Sequence, residues 1–477
     1  MKYILIPLCF IIFNTILYAQ GTHYWSNQFG ARASFLGGAV IAGLDDNSSV
    51  YYNPANLAFI KQSTVSLNTS VYKYEDIFMG NGGGTGVDLK SQRLSLYQQM
   101  VSGLLSKNPE KFYRIGFNIL ARQNVNIDGN HRHENKYDLI ASNAGKEFYI
   151  GNIELRNIIG ETWGCLGVGF KINKNFSAGL TAIATYRSQK HTFAYSARAM
   201  SGNDSTIAAG IPIFVATNSS YLHSRTNIIG GLLKVGFHGR FGRWRFGLNI
   251  STPSITIWGE SRVHREDLQT NRPSNQGSGT LDRVRTDEQR NLKSRYKYPL
   301  SVGAGISYNY RTGMICISAE YFMAINEYKM VDANLSNFSI YDSVKTDFLS
   351  IYQRADQVLN FAIGWEQKLL DKIKLHIGFR SDFSFIKTTD RLTITSAPID
   401  LWHFSAGLSW RRKHSLMSIG FKYTYGYSYK GFRQLINFTE PLVNNDWFLF
   451  GKRTDEAFLN IHAFTLMIGY TYYFALK

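Results

Sequence analysis

From about residue 112 onward, apolar and polar residues alternate in short runs separated by turns of two or three residues. In "WRFGLNIS", Trp244, Phe246, Leu248 and Ile250 share one parity, while Arg245, Gly247, Asn249 and Ser251 share the other. "SVGAGISYNY", "KIKLHIGFR", "LWHFSAGLSW", "MSIGFKYTYGY" and the terminal "FTLMIGYTYYF" repeat the device. Period two is the signature of a strand with one apolar and one polar face. A soluble sandwich also alternates. Here, however, aromatic residues gather near strand ends on the apolar face, as at the two interfaces of a bilayer.

The connections point the same way. Tight turns at 173–175, 242–243, 311–313, 371–372 and 412–414 alternate with long polar insertions near 188–230, 252–296, 329–356, 386–398 and 428–457. Outer-membrane barrels have that asymmetry, with short periplasmic turns and long outer loops. Strand starts are expected near 64, 112, 147, 163, 176, 230, 244, 297, 312, 357, 373, 398, 415 and 458. The expected fold is therefore all-β: a transmembrane antiparallel β-barrel of about 14 strands, within two either way. The aromatic-rich end "GYTYYFALK" suits a strand read by barrel-assembly machinery. One window departs from period two: in residues 92–106, Leu94, Tyr97, Val101 and Leu104 fall on one helical face. It reads as a helix over the barrel mouth or against lipid, with a twisted strand as the alternative.

Composition agrees. The chain holds 32 Phe, 29 Tyr and 8 Trp beside 42 Gly and 9 Pro in 477 residues. Residues 1–19 read as a signal peptide, with Lys2 ahead of an apolar run and Ala19 at the cleavage point. Its removal leaves Cys165 and Cys316, too few for a disulfide scaffold, and whether they pair stays open. No later window is long and apolar enough for a membrane helix. A formal charge of +18 suits anionic partners, but no nucleic-acid-binding motif appears.

Catalytic patterns are wanting. "GNGGGTG" at 80–86 lacks the ending of a phosphate-binding loop and reads as a flexible loop. "HRH" at 131–133 reads as a charged loop rather than a metal site. There is no Gly-x-Ser-x-Gly elbow or His-Glu-x-x-His motif, and His403 with Ser405 is the nearest hint of a catalytic pair. The reading is no enzyme, no cofactor and no metal.

The inward parity is basic. It carries Lys171, Arg187, Lys234, His238, Arg240, Arg245, Lys374, His376, Arg380 and Lys422, against Glu320 and Glu366 alone. A solvated channel wall explains this, with Arg240, Arg245 and Lys374 marking the periplasmic rim. The functional alternative is a lumenal site for an anionic head group, formed by Lys171, Arg187, Lys234, Arg245, Lys374, His376, Arg380 and Lys422.

Residues 30–60, "GARASFLGGAVIAGLDDNSSVYYNPANLAFI", resemble the N-terminal hatch of the FadL/TodX (OMPP1) family of outer-membrane transporters for hydrophobic compounds, here a Bacteroidetes-type member. The likeness rests on "GARA", "GGA" and an acidic pair before "YYNPANLA". It implies a signal peptide at 1–19, a hatch at 20–62 inside the lumen, and a barrel over 63–477. Asn53, Pro54 and Ala55 carry over as hatch and gating elements. It further implies a monomer in the Gram-negative cell outer membrane, among outer-membrane lipid and lipopolysaccharide (LPS), passively importing hydrophobic compounds with lateral exit; the basic lumen makes amphipathic, anionic, fatty-acid-like ligands the expected ones. No nucleic acid, cofactor or energy source is implied. The alternative is an accessory or shuttle protein of a secretion or surface-attachment system, holding a protein partner. A lipid-modifying enzyme is a weaker third reading. Asp45 and Asp46, inside a basic lumen, would find counter-charges there.

Overall fold

The computed structural model describes residues 21–43, 45–105, 111–140, 145–201, 214–273, 280–338, 345–386, 399–428, 431–443 and 447–474. The expected signal peptide and most of the 386–398 insertion lie outside these residues. Eighteen strands form one sheet, and fourteen of them close into an antiparallel barrel. In chain order these are β1 (Thr64–Gly80), β2 (Leu89–Leu105), β3 (Tyr113–Tyr137), β4 (Glu147–Lys171), β5 (Phe176–Met200), β6 (Val215–Phe241) and β7 (Trp244–Ser251). They continue with β10 (Ser301–Tyr310), β11 (Gly313–Phe322), β14 (Val358–Leu370), β15 (Ile373–Asp382), β16 (Leu401–Arg411), β17 (Ser415–Tyr427) and β18 (Phe458–Tyr473). β18 returns to β1 in a ladder from Thr64↔Tyr473 to Gly80↔Phe458.

The remaining four strands branch off at the long-loop end. β8 (Ile255–Pro273) pairs with β6 beyond the end of β7, and β9 (Thr280–Ser294) with β8. β12 (Ile325–Asp332) joins β9, and β13 (Ile351–Ala355) joins β12. Much of what the sequence suggested as polar loop at 188–230 and 252–296 is therefore strand. β5 and β6 simply run on past the membrane, at 25 and 27 residues, where 9–11 suffice to cross it.

Two expectations fail, and their errors cancel in the strand count. The expected starts at 147 and 163 belong to one strand, β4. Its apolar parity inverts: Tyr149, Ile153 and Leu155 face inward at the outer end, whereas Leu166, Val168 and Phe170 face outward in the membrane half. The inversion imitates a break. Conversely, residues 92–106 lie largely in strand β2. Asn68 pairs with Met100 and Thr69 with Gln98, so Gln99 is an unpaired bulge that flips the parity. Leu94 and Leu96 point outward before it; Met100, Ser102 and Leu104 are buried after it. That flip mimics helical spacing. "HRH" likewise lies in β3 rather than in a loop.

Inside the ring lie residues 21–43 and 45–63, with short helices α1 (Ala31–Phe35) and α2 (Ser49–Tyr52) and a 3₁₀ turn at Pro54–Phe59. The wall makes room with glycine. A Cβ on Gly116, Gly169, Gly179, Gly236, Gly247, Gly305, Gly364, Gly378, Gly407, Gly420 or Gly469 would come within 3.0 Å of this segment. These are inward positions on eleven different strands. The other three reach it by hydrogen bonds: Asn68 on β1 accepts from Ala31 N at 2.9 Å, Ser102 O on β2 from Asn47 at 3.5 Å, and Ser318 on β11 from Ile41 N at 3.2 Å. A segment touching all fourteen strands occupies the lumen.

Candidate functional site

The Asn-Pro-Ala turn is a staple between this segment and the wall. Asn53 is extended and fully buried, and its Oδ1 accepts from Ala55 N at 3.1 Å, a cap for the 3₁₀ turn that Pro54 begins. Its Nδ2 donates to Ile41 O within the segment and to Phe237 O on β6, both at 3.0 Å. Ser177 on β5 donates to Ala55 O at 2.8 Å, and Asn249 on β7 to Tyr52 O at 2.6 Å. Gly169, Gly179 and Gly236 leave the space in which Asn53, Pro54 and Ala58 lie. Asn53 and Ala55 thus bond the wall, and Pro54 packs against its glycines.

Two charged latches hold the segment at the tight-turn end. Asp45 receives Arg240 at 2.9 Å and Arg245 at 2.8 Å. Burial raises the Asp45 pKa, but the guanidiniums of Arg245 and Arg240 outweigh it and hold it below its ordinary value. Asp46 behaves oppositely: burial dominates and raises it, while its Oδ1 accepts from Ser48 N at 2.9 Å. Across the lumen, Glu366 on β14 takes Arg32 of α1 at 2.6 Å and Lys374 of β15 at 2.7 Å. His376 lies 3.4 Å from the same carboxylate and bonds Ser409 Oγ at 2.8 Å.

The eight candidate cations do not form one site. Lys171 is exposed beside a tight turn. Arg245, Lys374 and His376 belong to the latches. Arg187 is buried against Glu161 at 2.7 Å, its guanidinium 4.0 Å from the Tyr296 ring. Lys234 sits 4.8 Å from the Tyr51 ring. Only Arg380 and Lys422 converge otherwise, donating to Ser26 O at 2.9 and 3.2 Å. Nearby Asp382 accepts from Trp25 N at 2.8 Å and Ser26 Oγ at 3.1 Å. The His403–Ser405 hint is no dyad: His403 Nδ1 bonds Thr424 Oγ1 at 2.7 Å, and Ser405 Oγ donates to Phe35 O at 3.0 Å.

Sequence reasoning missed the inward acids Glu161 and Asp382, although each shares parity with an inward cation or aromatic, and it missed Arg122. A bulge between Ala121 and Gln123 puts Arg122 and Gln123 both inside, which no parity rule foretells. Arg122 donates to Tyr24 O and lies 5.2 Å over the Trp163 ring. Tyr24 stacks at 4.4 Å on Phe322 and lies 4.7 Å from Phe385, and Trp163 meets Tyr298 edge-on at 5.1 Å. This aromatic layer, to which the N-terminal segment contributes Tyr24, is buried inside the barrel. Cys165 and Cys316 are free and buried.

Beside that layer the wall is incomplete. β2 and β3 share only the six pairs from Met100↔Leu120 to Leu105↔Ile115. Beyond them β2 keeps its ladder with β1 and β3 keeps its own with β4. The two edges next meet where Asp128 N donates to Ser91 Oγ at 3.1 Å. Between lies a gap flanked by residues 92–99 and 121–127. Behind it the segment is tied to the bulge, with Asn27 donating to Arg122 O at 3.3 Å and Gln123 to His23 O at 3.5 Å.

No known protein-family model matches the chain, and no curated protein sequence does. Solved structures do. The Pseudomonas putida toluene transporter TodX superposes with a TM-score of 0.59 at 12% identity, covering 94% of this chain and 98% of that one. A Pseudomonas aeruginosa FadL homologue gives 0.60 at 12% identity, covering 96% and 100%. The Ralstonia pickettii toluene transporter TbuX gives 0.51 at 11% identity, covering 94% and 98%. The chain has the FadL/TodX fold. The likeness covers 94% or more of this chain, and two of these three neighbours, TodX and TbuX, are toluene transporters.

Proposed function

We propose that this chain is a passive outer-membrane channel for hydrophobic or amphipathic compounds, in which residues 21–63 act as the hatch and the β2–β3 gap as the lateral exit. The observation that carries the reading is the junction at Arg122 and Gln123. One bulge both interrupts the wall and grips the chain at His23, Tyr24 and Asn27. Loosening that grip would open the aromatic layer to the gap in a single motion. Support for an anionic, fatty-acid-like ligand comes from Arg380 and Lys422: a carboxylate replacing Ser26 O would meet two cations beside an aromatic wall. The chemistry needs no catalyst and no cofactor, only a path.

The test is permeation into proteoliposomes of a panel containing a long-chain fatty acid and a monoaromatic hydrocarbon. Protein-dependent entry of at least one is expected, accelerated in Arg122→Ala. Equal entry with and without protein for every compound overturns the reading. The sheet of β8, β9, β12 and β13 supports a second reading, docking of a protein partner in a secretion or attachment complex. A partner recovered at one-to-one stoichiometry from native outer membranes, with no permeation, would favour it.

A further inference from the structure

The lipid-facing wall over β4, β5, β6 and β8 carries a feature that the fold does not require. Gly164, Ala184 and Gly231 face one another across three adjacent strands on the outward parity. They floor a groove of about 810 Å³, walled by Ile119, Leu166, Leu233 and Ile255. Eleven inward glycines of this barrel admit the N-terminal segment. Here a Cβ on Gly164 would meet nothing within 4 Å. Glycine inside a strand weakens it unless something approaches closely; at Gly164 no protein atom does, and at Gly231 an added Cβ would meet only Ile183 O, at 3.2 Å.

Along the same strands, toward the long loops, the groove reaches the row Tyr186–Ile229–Trp258, amphipathic rings of the kind found at a bilayer interface. Four residues further stands the row Lys190–Arg225–Arg262, three cations directly opposed on neighbouring strands. At 3.3 Å per residue that is about 13 Å of strand, or about 10 Å of height at the usual barrel tilt, within the headgroup zone. Like charges directly opposite are unfavourable. Among the described residues no carboxylate lies within 4.0 Å of Lys190 or Arg225. Arg262 shares Glu288 with Arg290, at 2.8 and 2.6 Å. A polar cleft of about 240 Å³ opens among Arg225, Arg262 and Arg290, with Asn227 and the carboxylate of Glu260 on its groove side.

We propose that this strip binds one phosphorylated lipid of the outer leaflet, an acyl chain lying in the groove over Gly164, Ala184 and Gly231 and a phosphate held by Lys190, Arg225 and Arg262. Phosphate suits opposed guanidiniums, which offer paired donors and need a shared anion. An acyl chain suits an apolar channel open to lipid along its length. The site lies on the outside of the wall and is independent of the transport reading.

The test uses the full chain, exchanged through mild detergent and examined by native mass spectrometry with bisphosphorylated lipid A as the probe. One lipid retained per chain is expected. A tenfold or greater loss of retention is expected in Arg225→Glu/Arg262→Glu and, separately, in Gly164→Leu/Ala184→Leu. Heat-modifiable migration on gels checks that each variant remains a barrel, and leucine at these lipid-facing positions has room. Dephosphorylated lipid A should not be retained. Retention unchanged in either pair of variants overturns the proposal, as does release of the lipid by inorganic phosphate at millimolar concentration.

Discussion

Strands β4, β5 and β6 pass through two environments. In the membrane half Leu166, Leu180 and Phe237 face outward, while Gly169, Gly179 and Gly236 face inward against the Asn-Pro-Ala turn. In the outer half the faces exchange roles. Tyr149, Ile153 and Phe193 turn inward onto Leu435, Phe438 and Phe448, and Glu154 and Arg156 turn outward to water. Asn218 donates to Phe448 O at 2.6 Å and Tyr149 to Leu449 O at 2.8 Å, fixing that packing. The backbone is the same throughout. What differs is the solvent on each side, so apolar parity reports the surroundings of a strand rather than its limits.

The inward glycines of the membrane half offer the strongest break in this comparison. Gly378 has φ in the ordinary strand range, yet its added Cβ would run into the backbone of Leu36 and Gly37. Backbone cannot yield as a flexible side chain does. Gly378→Leu should therefore cost on the order of 3 kcal/mol or more, or expel the N-terminal segment. Thermal unfolding of the purified barrel, with limited proteolysis of the N-terminus, reads either result. Gly164→Leu, outward on the same barrel, should change neither measurement.

Charge on the outer wall comes next. Leu166→Lys places an ammonium in the lipid-facing half and should destabilise by about 2–4 kcal/mol. Glu154→Lys, twelve residues up the same parity of β4, should move stability by less than about 0.5 kcal/mol. If the two substitutions prove equal in urea unfolding, the boundary between the halves has been drawn in the wrong place. Asn53→Ala probes the inner face: it leaves the carbonyls of Ile41 and Phe237 without that donor, for a loss of about 1–3 kcal/mol.

These contrasts also explain what could be read without coordinates. The barrel and its tight-turn end were legible, because lipid enforces strict alternation; counter-charges were expected for Asp45 and Asp46 without named partners, and among the described residues Asp45 has them, whereas Asp46 bonds Ser48 instead. β2 was hidden by its bulge at Gln99, and β4 was split by its parity inversion. The candidate site was less legible still. Arg187 and Lys374 were visible as inward cations, and the parity of Trp163 offered Glu161 as well, but the gap beside Arg122 depends on a bulge and on which ladder ends first. Those are properties of neighbouring strands, absent from any single one.

The smallest effect separates latch from staple. Asp45 is partly open to solvent, so each of its pairs with Arg240 and Arg245 is worth about 0.2–1 kcal/mol. Because the folded pKa lies below the unfolded one, the stabilisation is present at neutral pH and is lost as pH falls through the folded value, below the ordinary carboxylate range near 4. Asp45→Asn should remove that acid-dependent portion while leaving the Asn53 staple intact. Amide hydrogen exchange across residues 31–60, measured through this window, is expected to rise first around residue 45 in the unsubstituted protein. In Asp45→Asn it should already be raised there at neutral pH. A rise that begins instead at Asn53, or that is identical in both proteins, would place the acid-sensitive contact in the aromatic half above, away from the latch.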